Sequence, residues 1–130
     1  MSAGAFAKLQ VLAPGESTAP GTVSGRTGSP TAQSSGVAFN VTVNAVDANW
    51  NFVSTATDTV GITSSEATAT LASNAALVAG TRAFSVTLKA AGNATVTATD
   101  ATDGSKTAHT TQLIAVNAGA FAKLLVLFAI

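Results

Sequence analysis

Cysteine is absent from this sequence of 130 residues. That removes disulfides, thiolate metal ligands and thiol nucleophiles together, and it leaves the compartment open, because exported domains also fold without cysteine. Charge is nearly absent too. Asp, Glu, Lys and Arg make up 9% of the chain and balance to zero, against about 25% in ordinary soluble domains. A surface with no field of one sign gives nucleic acid and anionic membrane nothing to be drawn to, so neither is expected as a partner. The single histidine, His109, has no cysteine and no second histidine to work with, and no Gly-x-Ser-x-Gly elbow occurs. Nucleophilic catalysis by a triad is therefore excluded, and no enzyme is expected. Long apolar runs are missing as well. The most apolar stretch, AFAKLLVLFAI at 120–130, is 11 residues long and contains Lys123, whereas a membrane-spanning helix needs about 20. It reads as a strand, with no membrane insertion. The opening MSAGAFAKL lacks the basic start and apolar run of a secretory leader.

What fills the chain is Thr, Ser, Ala, Asn and Val in a period of two. VAFNVTVNAV (37–46) sets Val37, Phe39, Val41, Val43 and Ala45 on one face and Asn40, Thr42 and Asn44 on the other. RAFSVTLKA (82–90) and NATVTATD (93–100) alternate in the same way, joined by a short Gly-containing connection. DTVGIT (58–63), ATATLA (67–72) and KTAHTTQLIAV (106–116) predict three more strands, and SNAALVAG (73–80) a single helical turn. All three prolines and five glycines fall in 13–36, which predicts an irregular crossover loop or a contact surface for a neighbour. This order predicts an all-β, antiparallel, immunoglobulin-like β-sandwich of about seven strands over 1–117.

One heptapeptide occurs twice. AGAFAKL stands at Ala3 to Leu9 and again at Ala118 to Leu124, 115 residues apart, about one immunoglobulin-like domain. The second copy continues with Leu125 where the first has Gln10, and with Phe128 where the first has Ala13. A strand apolar on both faces wants cover on both sides. Residues 118–130 therefore read as the first strand of a following repeat or as a donor strand. The residues expected to carry assembly are Phe6, Leu9 and Val11, with Phe121, Leu124, Leu125, Val126, Leu127, Phe128 and Ile130.

Two further sets of residues are candidates for binding. Asp47, Asn49 and Asn51 alternate in DANWN, and at one end of a sandwich they would meet Asp100 and Asp103; such oxygens either hold a calcium ion or cap their own turns. No other cofactor is expected. Trp50 in the same turn either plugs the end of the core or stacks on a sugar ring. The run FNVTVNAVDANWNFVS, followed by FSVTLKAAGNATVTATDATDG, resembles the bacterial immunoglobulin-like repeats of invasin- and intimin-type surface adhesins over residues 37–116. Trp50 stands where that family carries glycine. The resemblance implies an extracellular or cell-surface module strung head-to-tail with identical subunits or adjacent repeats into a stalk, adhesin shaft or filament. The alternative is a module binding a carbohydrate or host receptor through Trp50 and the 13–36 loop.

Overall fold

The period-two segments form ladders, and the ladders form a sandwich. The computed structural model describes residues 4–119 together with Leu124 and Val126. Its strands are β1 (Lys8–Leu12), β2 (Glu16–Thr18), β3 (Arg26–Gly28), β4 (Gln33–Ser34), β5 (Ala38–Val46), β6 (Thr59–Ser64) and β7 (Thr70–Leu71). They continue with β8 (Ala75–Ala76), β9 (Thr81–Thr87), β10 (Gly92–Ala94), β11 (Val96–Asp100), β12 (His109–Thr110) and β13 (Ile114–Asn117). One sheet runs β1-β5-β9-β7, antiparallel throughout. A second runs β12-β11-β6-β8, and a third, β10-β13-β4, contains the parallel pair β13–β4. Between them lies the core of Leu9, Val11, Val41, Val43, Ala45, Phe84, Val86, Leu88, Val60, Ile62, Val96, Ala98 and Ile114.

Three local expectations change. SNAALVAG makes no helical turn: Ala75 and Ala76 pair with Val60 and Thr59, and Leu77 donates its N–H to Asp58 O and buries its side chain. Tertiary pairing overrides the helical preference of Ala and Leu. The 106–116 strand is broken between β12 and β13, where the Thr111 N–H and hydroxyl bond Val96 and Leu113 turns outward. The 13–36 stretch is not irregular throughout. It folds into the antiparallel hairpin β2–β3 and ends in β4.

The chain enters and leaves at opposite ends of β5. Gly4 N–H donates to Asp47 Oδ2 (2.7 Å), just past the end of that strand. Ser35 N–H donates to Asn117 O (2.8 Å), just before its start. Between the two anchors lie the nine residues of β5, a rise of about 30 Å.

Candidate functional site

The turn after β5 carries the candidate binding residues. Trp50 takes φ +69°, the left-handed region that suits glycine, at a cost of about 1–2 kcal/mol for an L-residue. Burial of the ring holds it there. Only 8% of Trp50 is exposed, because the 13–36 segment folds over it: indole Nε1–H donates to Val23 O (3.3 Å). Lys8 Nζ sits 3.6 Å from the ring centroid, in cation–π range. His109 lies on another side, with ring centroids 4.8 Å apart. Gly25 completes the cover at φ +74°, where a Cβ would fall 2.0 Å from Trp50 Cδ2, so any side chain there would have to displace the ring. The ring is thus packed against the end of the sandwich, with Lys8 and His109 beside it.

The 13–36 segment therefore serves its own module by roofing the outer face of β1. Beneath it Gln10, 0% exposed, donates from Nε2 to Gly25 O (2.6 Å) and accepts at Oε1 from Asn44 Nδ2 (3.0 Å). Asn44 Oδ1 in turn accepts from the Thr81 hydroxyl (2.7 Å). Glu16 Oε1 accepts from Ala13 N–H (2.8 Å), Glu16 Oε2 accepts from Gln112 Nε2 (2.7 Å), and Arg26 Nε lies 3.4 Å from the same oxygen. His109 Nδ1 accepts from Val11 N–H (2.9 Å). Burial, then the charges of Arg26 and Lys8, lower its pKa to about 4, so the acceptor nitrogen stays free of a proton at neutral pH.

Asp47 is a turn cap. Its Oδ1 accepts from the N–H groups of Asn49 (2.8 Å) and Asn51 (2.9 Å), and Oδ2 from Gly4 N–H and Asn51 Nδ2 (3.2 Å). These donors, Gly4 first, hold its carboxyl at about 2. Asp103 caps its own turn through the N–H and hydroxyl of Ser105 and pairs with Lys106 at 3.6 Å. Lys106 lies 4.9 Å from the Phe6 ring, which brings that turn to the end of the sandwich where the chain enters. Among the described residues no three acidic or histidine side chains converge at this end of the sandwich. The physical reason is that the Asp47 oxygens already face backbone donors.

Asp58, which the sequence reading left out, is the partner that Asp100 finds. Asp100 is 4% exposed; its Oδ1 accepts from Thr102 and Asp103 N–H (2.9 Å each), while Oδ2 is buried with no hydrogen-bond partner among the described residues. The Asp58 carboxyl hydrogen-bonds the Asp100 side chain, which raises its pKa, with desolvation and the Asp100 charge adding to the effect.

Of the assembly residues, Leu9 and Val11 belong to the core of the sandwich. Both are fully buried in their own core, and β1 occupies its place against β5 from Lys8↔Val46 to Leu12↔Thr42. Phe6 is half-buried and packs on the same core. Leu124 and Val126 are 83% and 88% exposed, whereas Phe121, Leu125, Leu127, Phe128 and Ile130 lie outside the described residues. No helix among the described residues is long and apolar enough to cross a membrane. No protein-family model matches the chain, and no curated protein matches it.

Proposed function

We propose that this chain is a non-enzymatic, extracellular structural module, of the immunoglobulin-like kind its strand sequences resemble, which builds a surface stalk or filament by head-to-tail connection. One observation carries the reading: the points of entry and exit, at Gly4 beside Asp47 and Asn117 beside Ser35, lie at opposite ends of the nine-residue β5. Modules joined through such ends extend a line. Only Ala118 separates Asn117 from Gly119, the counterpart of Gly4, so a following repeat would start with almost no slack. A tension along that line acts on β1 parallel to its ladder with β5, and all five residue pairs resist together.

Single-molecule pulling tests this. Tethers at Gly4 and Asn117 load the β1–β5 ladder in shear, and tethers at Gly4 and Asp47 peel it open pair by pair. The unfolding force is expected to be clearly higher in the first geometry. Equal forces would sink the reading as a tension-bearing link.

A further inference from the structure

The groove that holds β1 is more selective than an apolar slot, and the second copy of the heptapeptide meets that selectivity at three positions. After AGAFAKL the first copy reads QVLAPG (10–15) and the second LVLFAI (125–130). Leu125 corresponds to Gln10, whose buried amide joins Gly25 O to Asn44 Nδ2; a leucine there leaves the buried Asn44 amide without its acceptor. Phe128 corresponds to Ala13, which is 2% exposed and lies beneath the Glu16 carboxylate that accepts its N–H. A benzyl group has no volume to enter. Ile130 corresponds to Gly15, at φ +93° in the turn closed by Glu16 N–H to Ala13 O (3.0 Å). A Cβ at Gly15 would lie 2.5 Å from Ser29 O and 2.7 Å from Thr31 Oγ1, and a β-branched residue is a genuine outlier at that φ.

We infer that residues 118–130 are matched to the first-strand groove of a module that is not a copy of this one, and that copies of this chain do not polymerise by exchanging the segment. The accepting module has an apolar residue where this chain has Asn44, and lacks the tight Pro–Gly turn after its first strand. The inference rests on the modular reading above, in that it takes the second heptapeptide as a first-strand equivalent.

The test transplants the tail sequence into the groove. In the full chain, Gln10→Leu/Ala13→Phe/Pro14→Ala/Gly15→Ile is expected to lower the folding equilibrium constant by at least about a hundredfold, since each mismatch alone is of the order of tenfold. A change under about threefold would overturn the inference. Gln10→Leu alone separates selectivity from general damage: its loss of about tenfold should be partly regained in Gln10→Leu/Asn44→Leu, which removes the orphaned Nδ2 donor while Gly25 O and the Thr81 hydroxyl lose their partners, and no recovery would overturn the acceptor's assignment. The third arm uses the chain's lack of cysteine. With Lys123→Cys and Val46→Cys, the counterpart of the Lys8↔Val46 pair, oxidation at high concentration is expected to give no intermolecular disulfide, and a ladder of linked chains would overturn the proposal. That ladder would leave the pulling result of the modular reading untouched, so the two failures are distinguishable.

Discussion

Both faces of β1 are covered, and they are covered by different means. The inner face, Leu9 and Val11, meets Val43, Phe84 and the rest of an apolar core in which every contact is non-directional. The outer face, Lys8 and Gln10, is roofed by a hairpin and closed by hydrogen bonds from Gln10 to Gly25 O and Asn44 and by an indole under Lys8. The first kind of burial supplies most of the free energy, in proportion to area. The second supplies register: shifting β1 by one residue would place Gln10 in the core and a Val or Leu under the hairpin. Any apolar strand satisfies the inner face. The outer face also asks for an amide at Gln10.

The largest effect tests the inner face. Phe84→Ala is expected to cost about 3–5 kcal/mol in urea unfolding, enough to leave little folded protein if total stability is ordinary for a single domain. Trp50→Gly comes next, because it removes the ring yet relieves the left-handed strain, for a net loss of about 2–3 kcal/mol. If Trp50→Gly proved as stable as the parent, the roof would contribute nothing. Gly25→Ala should cost about 1–3 kcal/mol by overpacking, with a red shift of tryptophan fluorescence as the ring is pushed toward water; an unshifted spectrum would contradict the contact.

The smallest effects are in pH, and their signs differ. Asp47 is held at about 2 against an ordinary 3.8, so its stabilisation is complete above 3.8 and is lost as pH falls toward 2. His109 is depressed to about 4 from 6.5; its contribution is complete above 6.5 and is lost as pH falls through 4. Asp58 is raised above 3.8, so its contribution is complete below 3.8 and fades as pH rises through its folded value. Carboxyl NMR titration should rank Asp58 above Asp47, and Asp100→Asn should return Asp58 toward its ordinary value. An unchanged Asp58 titration would refute the pair.

The contrast between faces also marks what was legible in the sequence. Strands β5, β9 and β11 follow from alternation because their faces are set locally, by Val41, Val43 and Ala45 against Asn40 and Thr42. The both-sided burial of β1 was not legible: Gln10 reads as a solvent-facing residue until the hairpin 15 residues away is placed over it. Asp47 as a turn cap lay among the sequence readings, since Asp and the Asn N–H groups it caps are adjacent in the chain. Asp58 was missed because 42 positions separate it from Asp100, and only the β6–β11 register, with Val60 opposite Asp100, brings them together. Gly25 gave a signal that went unread: a glycine in a loop rich in glycine looks ordinary until an indole lies against it.

The bonds that hold β1 have a bearing on the order of events during synthesis. Val11 is secured by His109, 98 residues later, and Leu9 N–H by Thr107 O. During synthesis the module's own first strand is thus locked late, and it waits in water while nearly the whole module is made. Lys8 and Gln10 keep that waiting strand from being greasy on both sides, which protects the newborn chain from its neighbours before the roof closes.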